Sequence, residues 1–181
     1  MIVDFRRSPP SLPPLVISGS AVTTVESFKF LGTTLSRNLK WELHINLTAK
    51  KAQQRMYFLQ QLKKFNLPQA MMVQFYTAII ESILTSAITV WFGSSTARDR
   101  TRLQRITRSA ERIIGCNLPS IQDLYHTRSR KRTAKIIADP SHPDHHILQA
   151  LPSGKRLRSL ITKTTRHKNS FFPRAVALMS S

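Results

Sequence analysis

No stretch constrains this chain as much as residues 68–92. Met71, Met72, Phe75, Tyr76, Ile79, Ile80, Ile83, Leu84, Ile88 and Trp91 recur at helical spacing and cover more than one face of a helix. The length would just span a bilayer. Gln74 and Glu81 interrupt the run, and a carboxylate near the centre of a span costs about 2.5–3.5 kcal/mol on insertion. The stretch therefore predicts the buried central helix of a small bundle rather than a membrane crossing.

Amphipathic neighbours stand on both sides. Upstream, Trp41, Ile45, Ala49, Ala52, Met56, Leu59 and Leu62 form one apolar stripe, with Lys50, Lys51 and Arg55 on the exposed side. That helix should end near Asn66, before Pro68. Downstream, residues 98–114 place Leu103, Ile106, Ala110, Ile113 and Ile114 on one arc and Arg98, Arg102, Arg105, Arg108 and Arg112 on another. Gly115 is the natural stop. Ser120 with Asp123 is a capping-box-like start for a further helix to about Ile137, and Asp139-Pro140 ends it.

The two ends read differently. Residues 1–35 suggest β structure: a short strand at Ile2-Val3-Asp4-Phe5, then an extended connection forced by Pro9, Pro10, Pro13 and Pro14. Ser18-Gly19-Ser20 is a hairpin turn between Leu15-Val16-Ile17 and Ala21-Val22, and Phe28-Lys29-Phe30-Leu31 is a strand closed by Gly32. None is long enough for a sheet that stands alone, so the region looks like the trailing edge of a larger domain. Residues 140–181 are rich in Pro, Ser, His and basic residues. They predict one short helix around residues 145–151, then a loosely held, partly disordered tail. The fold class expected is α+β, mostly α: a β remnant over 1–37, a helical bundle over 38–139 and a basic tail over 140–181.

Charge narrows the function. The 181 residues hold 28 Lys+Arg against 9 Asp+Glu, a formal net charge of +19. Residues 98–181 carry 18 of the basic residues and 5 of the acids. Charge this lopsided points to a polyanion, nucleic acid ahead of an anionic membrane surface or a merely solvated face. Arg98–Arg112 form a stripe, Arg128, Arg130, Lys131, Arg132 and Lys135 cluster beside Tyr125, and Lys155, Arg156, Arg158, Lys163, Arg166 and Lys168 precede Phe171-Phe172. Arginine pairs phosphate bidentately and aromatics stack on bases, which predicts affinity and salt dependence without sequence readout.

Covalent chemistry finds little footing. The acids are scattered singly with no Asp-Asp pair, which argues against a two-metal polymerase site. The segment His142-Pro-Asp144-His145-His146 invites an iron reading, but Pro140 and Pro143 break it, and a turn whose polar side chains cap backbone groups is the plainer account. Every glycine is isolated, so no phosphate-cradling or methyl-donor loop is expected, and Cys116 has no nucleophile's neighbours. A lone cysteine also excludes an internal disulfide framework. No cofactor and no metal are expected. The N-terminus has no uninterrupted apolar segment, so nucleus or cytoplasm is expected rather than secretion.

Particular segments carry a family likeness. Phe28-Lys29-Phe30-Leu31-Gly32-Thr33, Leu39-Lys40-Trp41, Lys50-Lys51-Ala52-Gln53-Gln54-Arg55-Met56-Tyr57-Phe58-Leu59, residues 75–82 and Val90-Trp91-Phe92-Gly93 resemble the C-terminal end of the reverse transcriptase of vertebrate, especially fish, non-LTR retrotransposons (LINEs). That resemblance covers nearly the whole chain. It implies that residues 2–6 follow the palm's catalytic hairpin, that Phe30-Leu31-Gly32 lead from the primer grip into the thumb, and that the helices after Leu39 are thumb and connection. It further implies a fragment lacking the fingers, palm and endonuclease, which would bind RNA, DNA or an RNA–DNA hybrid by its backbone. Residues from about Met1 to Arg55 also look like the N-terminal domain of AlkB homologue 8, a tRNA-modifying family with 2-oxoglutarate dioxygenase and methyltransferase modules. Two expectations follow: a catalytically incomplete nucleic-acid-binding fragment, or a protein of the AlkB homologue 8 N-terminal type. A third is a relic whose apolar helix lacks its partner surface and aggregates.

Overall fold

The computed structural model describes residues 1–4, 11–154 and 156–180. The protein is α+β and mostly α, with two small hairpins ahead of a helical body. In the first hairpin β1 (Val16–Ile17) pairs antiparallel with β2 (Ser20–Ala21). In the second, β3 (Ser27–Phe30) pairs with β4 (Thr33–Ser36). Its turn residues Leu31 and Gly32 both have positive φ, 45° and 79°, the backbone a two-residue primed turn demands. Gly32 takes this freely while Leu31 is strained, so the expected strand end at Gly32 is instead a hairpin tip with Leu31 thrust into solvent. Strand β4 was not foreseen. Thr33 is buried and the Thr34 amide donates to His44 Nδ1 (3.3 Å), which fastens the hairpin to the next helix. Residues 2–4 form no strand. The expectations for Phe5, Arg6, Pro9, Pro10 and Lys155 lie outside the described residues.

Helix α1 (Glu42–Lys64) buries Ile45, Ala49, Ala52, Met56 and Leu59, the stripe its spacing predicts, and Asn66 at positive φ closes its end. The apolar stretch after it is not one straight helix. It runs as α2 (Gln69–Phe75), a wide π-type turn over Tyr76–Glu81, α3 (Ser82–Leu84), a break, α4 (Ile88–Trp91) and a 3₁₀ turn over Phe92–Ser94. Beside the break, Thr85 Oγ1 donates to the Glu81 carbonyl (2.6 Å) together with the Thr85 amide (2.9 Å), and Ser82 Oγ donates to the Ala78 carbonyl (2.7 Å), side-chain back-bonds that bend helices. Ala87 then turns left-handed at φ 49°, a cost of about 1–2 kcal/mol that only surrounding packing sustains. By length and composition residues Gln69–Ser94 would suffice for a membrane span. Here Met72, Tyr76, Ile80, Leu84, Ile88, Trp91 and Phe92 are the centre of the core, each large side chain contributing about 1.5–3 kcal/mol by burial.

Helix α5 (Ala97–Ile114) lays Leu103, Ile106, Ala110 and Ile114 against this core. Thr96 and Asp99 form a reciprocal capping box, and Gly115 ends the helix at φ 85°. Helix α6 (Ile121–Ala138) starts at the Ser120 cap, as its sequence signals. Residues 140–181 depart from the expected loose tail. After a 3₁₀ turn at His145–Ile147 come α7 (Thr165–Lys168) and α8 (Phe171–Ser180), and α8 packs on α6. Ile136, Leu148 and Val176 form a second small core with Phe171 and Phe172 at its edge. Pro173 lies in the first turn of α8, where the amide it lacks would have no helical partner, so it does not break the helix. Gly93 sits where a Cβ would collide with the Asn169 carbonyl, which brings the α7–α8 corner directly onto the core.

Candidate nucleic-acid interface

The capping box sets the register of α5 and so decides where its arginines point. With Leu103, Ile106 and Ala110 facing the core, Arg98, Arg105, Arg108 and Arg112 emerge exposed and Arg102 half-buried. The two acids of α5 do not neutralise them. Asp99 Oδ2 accepts from the Thr96 amide (3.2 Å) and hydroxyl (2.7 Å), and Glu111 Oε1 accepts from the Leu118 amide (3.0 Å). Among the described residues, the side chains of Arg98, Arg105 and Arg108 have neither hydrogen bond nor ion pair. Arg112 leans on Ser109 Oγ (3.2 Å) and the Arg108 carbonyl (3.4 Å). Arg102 donates to Asn46 Oδ1 of α1.

That last bond spans a groove between α1 and α5 of about 1510 Å³. Its lining includes Arg98, Arg102 and Arg105 from α5, Asn46, Gln53 and Gln60 from α1, the apolar Met56, Ile106 and Ile113, and two acids, Glu42 and Asp99. Lys40 and Arg166 stand at its mouth, with Arg166 donating to the Asn38 carbonyl (3.1 Å). Guanidinium groups beside side-chain amides and apolar side chains suit an extended anionic chain: arginines meet phosphate, and amides donate or accept as required.

The second basic cluster is mixed in role. Arg130, Lys131 and Lys135 project from α6, exposed. Arg128 turns inward. It donates to the Thr85 carbonyl (2.9 Å), which also accepts from the Ile88 amide (3.2 Å), and lies 3.9 Å from Glu81 Oε1. Arg132 donates to Thr89 Oγ1 (3.0 Å), and its guanidinium sits 4.6 Å from the Phe171 ring centre. Arg100 does similar work at the end of the broken helix, donating to the carbonyls of Phe92 (3.3 Å) and Gly93 (3.2 Å) and stacking on Phe92. Arg128 and Arg100 thus add charged donors to carbonyls at the ends of helical segments, and Arg132 ties α6 to Thr89 and Phe171.

Titration reflects the surroundings. Burial pushes the Glu81 carboxyl above its ordinary value, against the pull of Arg128. Burial likewise lowers His126, and the neighbouring Arg130 guanidinium lowers it further, as a positive field must. Tyr76, buried and donating to Thr107 Oγ1 (3.2 Å), is pushed up to about 12 by burial.

The aromatics are placed otherwise than expected. Tyr125, assumed to stand beside the basic cluster, is buried against Phe92 with ring centres 4.8 Å apart. Phe171 and Phe172 belong to the second core. The exposed rings are instead Tyr57 and Phe58 on α1, Phe65 at its C-terminal cap, and Phe28 and Phe30 on the second hairpin. Sequence reasoning missed the α1 rings because it followed the apolar stripe, although they fall on the opposite face at the same helical spacing. Phe30 and Leu31, taken for a primer-grip-like segment with Gly32, are an exposed hairpin end. The His142–His146 segment behaves as a turn. Asp139 Oδ1 accepts from the Ser141 amide (3.0 Å) and hydroxyl (2.6 Å), and the Asp144 amide donates to His142 Nδ1 (3.1 Å). Among the described residues no three His, Cys, Asp or Glu side chains converge as a metal site would.

Residues 41–82 match the family described as alkylated DNA repair protein alkB homolog 8, N-terminal. The match covers α1 to the end of the π-type turn, further along the chain than the expected residues 1–55. No curated protein and no solved structure matches the chain. The likeness to that N-terminal domain is therefore confined to the first long helix and the apolar helix packed on it.

Proposed function

We propose that this chain is a reverse-transcriptase-derived helical module, without the catalytic parts of a polymerase, that binds the backbone of RNA, DNA or an RNA–DNA hybrid without reading sequence. The observation that carries the reading is the outward arc of α5, where Arg98, Arg105 and Arg108 have no partner within the described residues and the helix's own acids are committed to backbone amides. An unpaired guanidinium row is what a phosphate chain neutralises. The residue likeness to the thumb end of LINE reverse transcriptases supports the origin. The exposed apolar residues of the hairpins, Val16, Ile17, Phe28 and Phe30, fit a surface that packs against a polymerase palm.

Binding of labelled duplex, hybrid and single-stranded probes, measured by anisotropy at rising salt, tests this. The logarithm of the association constant should fall linearly with that of salt, by about 0.9 per phosphate neutralised on duplex. Equal affinity at about 50 and 500 mM salt would mean that phosphate is not the ligand.

The family match at 41–82 favours a second reading, a protein of the AlkB homologue 8 N-terminal type. The matched family's description concerns alkylated DNA, so both readings converge on nucleic acid. They part on chemistry: release of succinate from 2-oxoglutarate by the purified chain with ferrous iron and oxygen would support the second, as would methyl transfer from a donor.

A further inference from the structure

The outward face of α1 carries what the arginine face of α5 lacks. Tyr57 is 58% exposed, Phe58 46% and Phe65 75%. Lys50, Lys51 and Lys64 flank them, all exposed, and the one acid of α1, Glu42, lies at its far end. Helical spacing sets Lys50, Lys51, Gln54, Tyr57, Phe58 and Phe65 along one strip. The fold does not need these rings, since the opposite face of α1 already supplies the core. They are nevertheless held in place. Tyr57 and Phe58 meet edge to face with centres 5.5 Å apart, and the Arg55 guanidinium lies 5.9 Å from the Phe58 centre.

Charge selects the occupant. An apolar protein face laid on this strip would bury several lysine ammonium groups without partners, which is unfavourable. An unpaired nucleic-acid strand offers phosphates to the lysines and flat faces to the rings. A duplex offers the phosphates but keeps its base faces within its own stack. The eight-residue step from Tyr57 to Phe65 rises about 12 Å, roughly three stacked nucleotide spacings.

We propose that the outer strip of α1 is a stacking site for unpaired bases, with Tyr57, Phe58 and Phe65 taking base faces while Lys50, Lys51 and Lys64 take phosphates. This rests on the reading of the chain as a nucleic-acid binder and adds to it a preference for single strands. The test compares an oligothymidylate with a blunt duplex of equal length, using the full chain and the variants Tyr57→Ala with Phe65→Ala, and Tyr57→Leu with Phe65→Leu. The strip predicts a roughly 10- to 100-fold loss of oligothymidylate affinity in the alanine pair. It also predicts an unchanged salt slope, because no charge is removed, and unchanged duplex affinity. The leucine pair keeps apolar area without a π face and should lose most of the same affinity. Single-strand affinity that is indifferent to both pairs, while salt-dependent binding persists, overturns the stacking site alone. Substitutions that turn a dimer into a monomer in sedimentation, without touching oligothymidylate affinity, assign the strip to a second copy and overturn it too. Failure of the unsubstituted chain to bind any probe overturns this site together with the nucleic-acid reading.

Discussion

Helices α5 and α6 carry nearly the same charge, and each divides it between solvent and the fold: Arg130, Lys131 and Lys135 of α6 project outward, while Arg100 of α5 is drawn to the Phe92 and Gly93 carbonyls. On α5, Arg98, Arg105 and Arg108 stand free of partners in the described structure, because the helix's acids are drawn to its own cap and to the Leu118 amide. On α6, Arg128 and Arg132 are absorbed by the fold. The difference lies in what each helix packs beside. Helix α6 runs past the break at Thr85–Ala87, and a guanidinium on the shoulder of its buried face adds a second donor to the Thr85 carbonyl beside the Ile88 amide (3.2 Å). A count of arginines is therefore not a count of phosphate contacts. Each helix interruption within reach consumes some of them.

Substitutions separate the two uses. Arg128→Ala should have the largest effect on stability. It removes one of two donors from the Thr85 carbonyl, which keeps the Ile88 amide, and leaves Glu81 buried without its cation, a loss of about 2 kcal/mol in urea denaturation, while the salt slope of nucleic-acid binding holds. An altered slope at full stability would place Arg128 among the phosphate contacts and erase the distinction. Arg132→Lys should cost less, about 0.5–1 kcal/mol, because the charge remains but the planar stack on Phe171 is lost.

Glu81→Gln sharpens the role of Arg128 through pH. Burial raises the Glu81 pKa in the folded state, so folding is favoured with the carboxyl protonated. That advantage is full below the ordinary carboxylate range and disappears as pH rises through the raised value. The native chain should thus lose stability relative to the glutamine variant on going from acid to neutral pH. The opposite trend would show that the Arg128 ion pair outweighs burial. Arg105→Ala should have the smallest effect on stability, within about 0.5 kcal/mol, yet reduce the salt slope by about one. A destabilised Arg105 variant would mean that α5's arginines also serve the fold.

Much of the architecture was legible in the residues. The stripe on α1, the two arcs of α5, the cap at Ser120 and the stop at Gly115 are local, and helical geometry converts each spacing into a face without reference to the rest of the chain; the Thr96–Asp99 box, equally local, went unread. The buried face of α6 was not legible, since Ser129 and Thr133 stand in it where apolar residues would have marked it. Nor was α8, whose Phe171, Phe172 and Val176 look like a tail until Ile136 and Leu148 are beside them.

What the sequence determined by itself was periodic: which residues share a side of which helix, and that the chain carries a large excess of positive charge. The tertiary structure decided which polar groups were left with a need. It bent residues 69–94 at Ala87 and brought Arg128 onto the Thr85 carbonyl; it buried Tyr125 and left Tyr57 and Phe65 in water. The reason is that a side chain's partner depends on what another segment brings within hydrogen-bond distance, and spacing along one helix holds no record of that.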